Sequence, residues 1–456
     1  MLSRHLSIPQ QHTQKEKHLK KRFQTALWLA IYFLLVFLPI VLLMILPRPQ
    51  GREFLREVSV ALGFMGMALL GIQTIPTSRL KFLVKPFPMD TLYQFHHILS
   101  IFTFIILLVH PILLFINNPG TLQLLNLVTA PWRARAAVLA ILAMVILVVT
   151  SVWRVVMKIK YDVWRWIHDG LAYLAIGLGL YHMFKVNYYM SLTYQKVLWL
   201  VLTGIWLGTL IAIRLIRPIR MKKTPYEIVD VIEERGQSWS LILKPSGHQG
   251  LTFESGQFAW ITNESPFIFR ENPFSFSTSS ENDDGTFGFT IKELGDFTAR
   301  IKDFKPGETI YVDGPYGNFS IDEHQCKNLV FIAGGIGSAP VMSMLRTLAD
   351  RGAENEVVFF YGNPTWDSII YREELETLKD RLNLNLVNVI ERPDEGWQGE
   401  TGFINVDVLQ RNLPKDYKDC TYFLCGPLPM ITAVEKALDE LQISPRNVHS
   451  EQYEMA

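Results

Sequence analysis

Four histidines lie inside otherwise apolar stretches as two pairs with the same spacing, His96 and His110, then His168 and His182. An ionisable residue inside a membrane-length apolar stretch is unfavourable there and marks a functional site by default. On a helix, fourteen residues place two side chains about 40° apart on one face and about 21 Å apart along the axis. Two such helices face to face predict two haem irons at two levels, each held by imidazoles. The alternative is buried structural histidines bonded to backbone carbonyls.

The helical register also chooses between the neighbours His96 and His97. Thirteen residues separate His97 from His110, which turns its side chain about 140° away from that of His110. The register therefore favours His96 as the ligand and predicts that His97 faces the lipid headgroups. A local helix bulge would reverse this choice.

The apolar stretches are long enough for six membrane helices. They cover residues 23–47, 58–76, 91–116, 137–153, 166–184 and 197–213, and their single acidic residue is Asp169. Eighteen lysines and arginines lie in the tail and loops of one side, against seven on the other. This bias predicts a protein of the inner or plasma membrane with both termini cytoplasmic. We expect an N-terminal cytoplasmic tail over 1–22 and a transmembrane domain over 23–217.

Charge and cysteine content exclude several classes of protein. The 44 basic and 43 acidic side chains nearly balance, so nothing indicates nucleic-acid binding. The three cysteines, Cys326, Cys420 and Cys425, are not spaced for an iron–sulfur cluster, a structural zinc site or covalent haem attachment.

The composition after about residue 215 is that of a soluble globular protein. Residues 222–322 alternate short β-rich runs with Gly and Pro turns, which predicts an antiparallel β-barrel. Residues 325–456 alternate strands such as "NLVFIAGG" and "EVVFFYGN" with helical segments, which predicts an α/β domain with a parallel sheet. The predicted fold class is therefore a multidomain membrane protein: a six-helix bundle, an antiparallel barrel and an α/β nucleotide-binding domain.

A glycine-rich turn follows the first strand of that α/β domain. Gly334, Gly335 and Gly337 would let the backbone approach a pyrophosphate, which the following helix N-terminus favours electrostatically. The spacing is not the six-residue dinucleotide fingerprint, so a tight structural turn remains the alternative.

Residues 222–456 resemble the ferredoxin-NADP reductase family, in which a flavin barrel precedes a nicotinamide domain. The family's flavin motif is Arg-x-Tyr-Ser, or His-Pro-Phe-Ser/Thr in membrane oxidases; here it reads Asn272, Pro273, Phe274, Ser275. The resemblance implies that Phe274 lies against the isoalloxazine ring and Ser275 near its N5. The alternating run "PFSFSTSS" leaves open that Phe274 packs in the barrel core instead.

Further matches to that family extend the implied sites. "GDFT" matches the segment at the flavin diphosphate, "AGGIGSAP" and "CGP" match the segments that position the nicotinamide nucleotide, and Cys425 and Tyr453 join Phe274 and Ser275 as implied catalytic residues. The implied FAD contacts also include Phe276, Ser277, Thr290, Lys292, Gly295, Asp296, Phe297 and Thr298. The implied nicotinamide contacts are Gly334, Gly335, Ile336, Gly337, Ser338, Tyr361, Gly362, Asn363, Arg372, Cys425, Gly426 and Pro427.

Three features decide how closely this chain follows the flavin and nicotinamide motifs of the family. Asn272 replaces the motif's usual Arg or His, which removes a cation from the flavin site. Pro364 stands where many relatives carry an arginine for the 2′-phosphate of NADP, so NADH is plausible unless Arg372 substitutes. Tyr453 in the terminal "EQYEMA" covers the flavin face if it follows the family; the alternative is a surface aromatic on a flexible tail.

Residues 55–217 resemble the ferric reductase and NADPH oxidase transmembrane domain, through "FHHILSIFTFIILLVHP" and "WRWIHDGLAYLAIGLGLYH". The resemblance implies FAD, two b-type haems and NADPH or NADH as donor, with His96 and His168 at the inner haem and His110 and His182 at the outer. Electrons would then pass from cytosolic NAD(P)H to dioxygen or a ferric chelate outside. Alternative acceptors are a quinone or a periplasmic redox partner. A haem-binding sensor or transporter is a more remote alternative, because the spans lack the paired acids and broken half-helices that carry ions.

Overall fold

The computed structural model describes residues 8–81, 87, 89–324 and 328–452, with side chains described from Phe23 to Glu451 outside those gaps. The chain divides between Arg214 and Leu215 into two compact units. We call them the helical unit, up to Arg214, and the sheet unit, from Leu215. Each is described by itself. Tyr453 lies outside the described residues.

The helical unit contains six long α-helices. They are α1 (Ile8–Ile45), α2 (Phe54–Ile72), α3 (Met89–Asn117), α4 (Trp132–Val152), α5 (Tyr161–Val186) and α6 (Thr193–Ile211), followed by a π-helical turn at Ala212–Ile216. Arg214 on this turn forms an ion pair with Asp169 of α5. The single acidic side chain of the predicted spans is thus neutralised inside the unit, which lowers the desolvation penalty of its charge.

Five segments of the described chain are helical, long and apolar enough to cross a membrane, against the six predicted. They are Phe23–Ile45, Phe54–Ser78, Met89–Asn117, Trp132–Val152 and Thr193–Lys223. The remaining helix, α5, has 26 residues and a length of about 39 Å, which suffices for a crossing. Its apolar character is lower because it carries His168, Asp169 and His182. The side chains that make α5 a functional candidate are therefore the ones that weaken its membrane signal.

Small residues on α2 let neighbouring helices approach closely. A Cβ at Gly66 would lie 2.7 Å from the Leu107 side chain of α3, and one at Gly71 would lie 2.1 Å from the indole of Trp206 on α6. Trp199 and Trp206 are themselves buried, at 0% and 5% exposure. Close packing through small residues is a usual way for helices to associate in membranes.

The sheet unit begins with helix α7 (Arg217–Lys223) and a six-stranded antiparallel barrel. Its strands are β1 (Tyr226–Glu234), β2 (Ser238–Pro245), β3 (Phe258–Thr262), β4 (Asn272–Ser275), β5 (Phe287–Lys292) and β6 (Thr309–Tyr316), in the order β4-β3-β6-β1-β2-β5. A bridge between Phe276 and Phe289 joins the two edges and closes the barrel. Phe276, Phe287 and Phe289 fill its core.

A six-stranded parallel sheet follows. Its strands are β7 (Leu329–Gly334), β8 (Val357–Asn363), β9 (Leu384–Ile390), β10 (Glu400–Thr401), β11 (Thr421–Gly426) and β12 (Val448–Gln452), in the order β10-β9-β8-β7-β11-β12. The helices are α8 (Ser338–Asp350), α9 (Arg372–Leu378), α10 (Val406–Asn412) and α11 (Leu428–Glu440). The order reverses between β7 and β11, and ligands of such sheets bind at this switch point, outside the carboxyl ends of the strands.

The sequence patterns predicted most of these elements. The β-rich runs and the strand–helix alternation match β1, β2, β3, β5 and β6 and then β7 to β9, β11, α8 and α11. The short elements β10, α10 and β12 were not predicted, because two to seven residues carry too little periodicity.

A polar network joins the barrel to the parallel sheet. Arg346 of α8 donates two hydrogen bonds to the Glu374 carboxylate, at 2.7 and 2.6 Å, and a third to the backbone carbonyl of Ser277. Ser343 donates to the Thr278 carbonyl at 2.7 Å. The loop after the flavin-motif strand is therefore held by α8, so the two parts of the sheet unit are fixed relative to each other.

Replacing Arg346 with methionine should destabilise the sheet unit. The change removes three charge-assisted hydrogen bonds but keeps an unbranched side chain, and we expect a loss of about 1.5–3 kcal/mol in the free energy of unfolding. Arg381→Met is the control, since its pair with Asp350 is exposed and such pairs contribute about 1 kcal/mol or less. Urea unfolding followed by tryptophan fluorescence measures both, and equal effects would contradict the assignment.

Candidate functional site

The imidazole rings of His96 on α3 and His168 on α5 face each other. Their centroids are 6.3 Å apart. Two metal–nitrogen bonds of about 2.0 Å, plus about 1.2 Å from each nitrogen to its ring centroid, place two ligands of one metal about 6.4 Å apart. The observed separation therefore suits an ion between the rings. His97, the alternative ligand, is exposed on the other face of α3.

The second pair of histidines is anchored by backbone carbonyls. His110 Nδ1 lies 2.7 Å from the carbonyl oxygen of Ser59, and His182 Nδ1 lies 2.8 Å from that of Arg133. A carbonyl has no proton to give, so Nδ1 is the donor in both bonds. In a neutral imidazole this leaves Nε2 unprotonated and free to bind a metal. His110 and His182 are also close enough for their charges to interact.

His168 is anchored by a side chain instead. Its Nδ1 lies 3.1 Å from Ser151 Oγ, and the Ser151 hydroxyl donates its own proton to the Leu147 carbonyl at 2.7 Å. The serine oxygen must therefore accept from His168, which again leaves Nε2 unprotonated. Trp164 donates its indole N–H to the same oxygen at 3.3 Å. His96 Nδ1 has no hydrogen-bond partner among the described residues.

These partners come from two packed helix pairs, α2 with α3 and α4 with α5. Ser59 of α2 meets His110 of α3, whereas His96 on the same helix has no such partner among the described residues. Helix α4 meets α5 through Arg133 and Ser151. The level of His110 and His182 thus receives one anchor from each helix pair and the level of His96 and His168 receives one from α4, and four imidazoles at two levels suit two bis-imidazole haems.

Room at the His110 level depends on a glycine. A Cβ at Gly63, one turn along α2 from Ser59, would lie 3.1 Å from Cε1 and Nδ1 of His110. Any larger residue would press on the ring. The α2 face that anchors His110 is therefore also the face that accommodates it.

In the sheet unit, β4 carries the flavin motif at the barrel surface. Asn272, Pro273, Phe274 and Ser275 are all partly exposed, whereas the flanking Glu271 and Phe276 are buried. Phe274 stacks on Phe297 with centroids 6.0 Å apart and planes 20° apart. A partly exposed aromatic pair offers a flat apolar surface of the kind that an isoalloxazine ring would cover.

Three implied FAD contacts have other roles in the structure. Phe276 is 0% exposed and stacks on Phe253 at 4.0 Å, so its side chain belongs to the barrel core. Ser277 and Thr290 are buried and hydrogen-bonded to each other at 3.0 Å. The buried side chains of Ser277 and Thr290 are therefore placed to support β4 from behind. Phe276 is a core residue because the bridge that closes the barrel lies at this position.

The loop after β5 is ordered by Thr298. Its hydroxyl oxygen accepts from the backbone N–H groups of Leu294 and Gly295, at 2.8 and 2.9 Å. Lys292 lies at the end of β5, and Asp296 is exposed beside Phe297. The two bonds to Thr298 therefore fix the turn that carries Asp296 and Phe297.

The glycine turn lies at the switch point of the parallel sheet. A Cβ at Gly334 would lie 2.6 Å from Met430 Sδ, and one at Gly426 would lie 3.3 Å from the Gly334 backbone nitrogen. Gly335 has φ +54°, which glycine adopts readily. The ends of β7 and β11 therefore approach closely only because both carry glycine, with Cys425 buried beside them. Ile336, Gly337 and Ser338 lead into α8, and Pro427 precedes α11.

Tyr361 supports this turn from inside the sheet. It is fully buried, its hydroxyl donates to the Gly335 carbonyl at 3.0 Å, and it lies 2.9 Å from Ser338 Oγ. Burial raises the pKa of Tyr361, so the hydroxyl stays protonated and remains a donor. Tyr361 thus shapes the turn from behind, and its implied contact with the nucleotide stays a prediction. Gly362 and Asn363 end β8 at the same edge of the sheet.

Arg372, the implied substitute for a phosphate-binding arginine, is occupied by acidic neighbours. Its guanidinium lies 3.4 Å from the Asp367 carboxylate, 3.2 Å from that of Glu373, and over the Trp366 ring at 5.0 Å. The hydrogen bond from Arg235 lowers the pKa of Glu373 to about 2, so Glu373 is negative at any physiological pH. A 2′-phosphate at Arg372 would meet two carboxylates.

Comparison with known families matches two separate stretches of the chain. Residues 62–179 match the ferric reductase like transmembrane component, and residues 331–436 match the oxidoreductase NAD-binding domain. The first stretch contains three of the four facing histidines and the second contains the glycine turn. The chain has the architecture of the ferric reductase and NADPH oxidase superfamily. The matched stretches thus combine a ferric reductase like membrane component with an oxidoreductase NAD-binding domain.

Curated relatives match part of the chain. NADH-cytochrome b5 reductase 2 of Scheffersomyces stipitis is 34% identical over 155 residues, 33% of this chain and 52% of that protein. NADH-cytochrome b5 reductase 1 of Mortierella alpina is 32% identical over 168 residues, 36% of this chain and 56% of that protein. The chain thus spans about half the length of these relatives. The solved cytochrome b5 reductase domain of Ulva prolifera nitrate reductase is 23% identical, with TM-score 0.44, covering 50% of this chain and 97% of that one.

The sequence analysis missed the residues that anchor the histidines. Ser59 and Ser151 are hydroxyl residues inside or at the end of apolar helices, and Arg133 contributes only its backbone carbonyl. The two serines could have been found from the sequence, because each places a hydroxyl at the same depth as a predicted ligand. A backbone acceptor leaves no such signal.

An arginine at position 364 should shift donor preference toward NADPH. Pro364 follows β8, and its carbonyl accepts from the Arg392 N–H, so a side chain there starts from the nucleotide edge of the sheet. A bidentate arginine on phosphate contributes about 1.5–3 kcal/mol, equivalent to about ten-fold or more in preference. Steady-state kcat/KM with NADH and NADPH measures the shift, with Pro364→Gln as the uncharged control. A wild-type protein already preferring NADPH a hundred-fold would refute the argument.

Phe274 and Phe276 should behave differently when truncated. Phe274→Ala removes a partly exposed ring and should lower FAD content while leaving the fold intact. Phe276→Ala opens the barrel core and should lower the free energy of unfolding by about 3–5 kcal/mol. FAD released per chain and urea unfolding distinguish the two. Normal FAD content in Phe274→Ala, with Ser275→Ala also leaving the rate of flavin reduction unchanged, would place the flavin elsewhere.

Proposed function

We propose that this protein is a transmembrane oxidoreductase that takes electrons from cytosolic NAD(P)H and delivers them to an acceptor on the opposite side of the membrane. The observation that carries the proposal is the facing pair His96 and His168, with rings 6.3 Å apart, in a chain that also has a reductase module. A structural role for these histidines does not require opposed rings, nor the unprotonated Nε2 that the Ser151 bond leaves on His168.

The proposed topology has six crossings and cytoplasmic termini. Helix α5 is included as a crossing because it is long enough and because both its histidines and its Asp169 have partners inside the helical unit. The excess of basic residues in the loops of one side supports the orientation. His96 and His168 would then lie at the cytoplasmic level, and His110 and His182 at the outer level.

The proposed cofactors divide the chemistry between the units. FAD bound at β4 and the loop of Thr298 would supply the change from hydride to single electrons, and two haems would supply one-electron carriage through the apolar bundle. The chain's own groups fix geometry: the Nδ1 anchors orient His110, His168 and His182, and the glycine turn with Tyr361 shapes the nucleotide site. Occupation of both axial positions by histidine favours electron transfer over oxygen binding at iron.

NADH is the donor that the sheet unit favours. Pro364 supplies no cation for a 2′-phosphate, and Arg372 is paired with Asp367 and Glu373. The two curated relatives named above are NADH enzymes by name. Both observations point away from strong discrimination for NADPH.

Dioxygen, giving superoxide, and a ferric chelate are the proposed acceptors. Because His110 and His182 would together hold the outer haem and leave no open site at its iron, either acceptor would be reduced at the edge of the bundle. Oxygen consumption and ferric-chelate reduction, each measured with NADH and with NADPH, separate the two. Activity with neither acceptor but with a quinone or a redox protein would overturn this choice.

Two histidine levels predict two low-spin b-type haems per chain. Pyridine haemochrome analysis should find two haems, and His182→Leu should leave one, because the outer level loses a ligand while His96 and His168 remain. Reduction of flavin by NAD(P)H should persist in this variant, whereas reduction of the outside acceptor should fall below a tenth of the wild-type rate. His97→Leu is the control and should keep both haems. One haem or none in the wild type would contradict the proposal.

A further inference from the structure

We propose that the Ser151 hydroxyl is a positioning residue that sets the redox potential of the haem held by His168, making the inner level tunable in a way that the outer level is not. The inference rests on the proposed function, since it requires a haem at His96 and His168. It concerns a residue that is not itself a ligand and acts through the His168 ring.

The direction of the hydrogen bond at Ser151 follows from its other contact. The Ser151 proton goes to the Leu147 carbonyl at 2.7 Å, the usual bond of a helical serine to the residue four positions earlier. The oxygen is then an acceptor for His168 Nδ1–H at 3.1 Å. A donor bond of this kind increases the electron density at Nε2, which makes the imidazole a stronger ligand of the ferric state.

The outer level is built differently. His110 and His182 donate to backbone carbonyls of Ser59 and Arg133 at 2.7 and 2.8 Å, and no side-chain substitution removes those acceptors. Ser59 Oγ is also near His110 Nδ1, at 3.0 Å, but its proton goes to the His110 carbonyl at 2.7 Å. Truncating Ser59 therefore leaves the Nδ1 acceptor in place, whereas truncating Ser151 removes it.

Trp164 acts on the same oxygen in the opposite sense. Its indole N–H donates to Ser151 Oγ at 3.3 Å, so the oxygen shares its lone pairs between Trp164 and His168. The Trp164 ring also lies beside the His168 ring, with centroids 5.1 Å apart. Removing the indole N–H while keeping an aromatic ring should strengthen the bond from His168 and increase the basicity of Nε2.

The test measures haem potentials by spectroelectrochemical titration of the full-length protein. The haem that remains in His182→Leu identifies the inner level. Ser151→Ala should shift the inner potential to more positive values and lower the affinity for that haem by about 10–100-fold, the usual effect of losing an outer partner of a metal-bound histidine. Ser151→Thr should restore both properties, because a helical threonine can make the same bonds.

Three further variants make the test specific. Thr150→Val is the matched control: Thr150 is the neighbouring hydroxyl, bonded to Ile146 and Leu147 carbonyls and to no histidine, so both potentials should stay at wild-type values. Trp164→Phe should shift the inner potential in the opposite direction from Ser151→Ala. Ser59→Ala should shift the outer potential by less than Ser151→Ala shifts the inner.

The outcomes separate this inference from the proposed function. Two haems in the wild type, with Ser151→Ala leaving the inner potential and haem content unchanged, would overturn the inference alone. An equal shift in Thr150→Val would also overturn it, since the cause would then be disturbance of the helix end. Wild-type protein without haem would overturn the proposed function and this inference with it.

Discussion

The hydrogen bond at Nδ1 of His110, His168 and His182 is the interaction on which the helical unit depends. A buried imidazole has two nitrogens, and leaving its N–H without an acceptor in an apolar bundle is unfavourable. By supplying an acceptor at Nδ1, the protein satisfies that need and leaves Nε2 as the unprotonated atom. Carbonyls do this for His110 and His182, and a hydroxyl does it for His168. One bond thus fixes both the tautomer and the orientation of each ring.

The arrangement of the helices follows from the same requirement. Helix α2 packs on α3 closely enough for the Ser59 carbonyl to accept a hydrogen bond from His110. Glycines on α2 give the space that this approach requires, at Gly63 beside His110 and at Gly66 beside Leu107. The small residues and the anchors therefore lie on one helix for a common physical reason, which is the short distance that a hydrogen bond demands.

In the sheet unit, rigidity comes from groups behind the predicted sites. Tyr361 supports the glycine turn from within the sheet, Ser277 and Thr290 lie behind β4, and Arg346 ties the following loop to α8. The residues left partly exposed are Phe274, Ser275 and Gly335. A site whose contact residues are held by buried neighbours keeps its geometry without relying on the ligand.

The sequence by itself determined the division into an apolar and a soluble half, the class of each fold and the helix face that carries His96. These features follow from a periodicity of 3.6 or 2 residues and from the fourteen-residue spacing, which are local properties of the chain. Tertiary structure alone decided which groups meet across elements. Ser151 anchors His168 only because α4 runs antiparallel to α5; Phe276 lies in the core because the barrel closes at that residue; Arg372 is neutralised because Asp367 and Glu373 converge on it. The apolar character of α5 is lower than that of its neighbours because it carries polar residues. Only the tertiary structure shows that these residues have partners elsewhere in the helical unit.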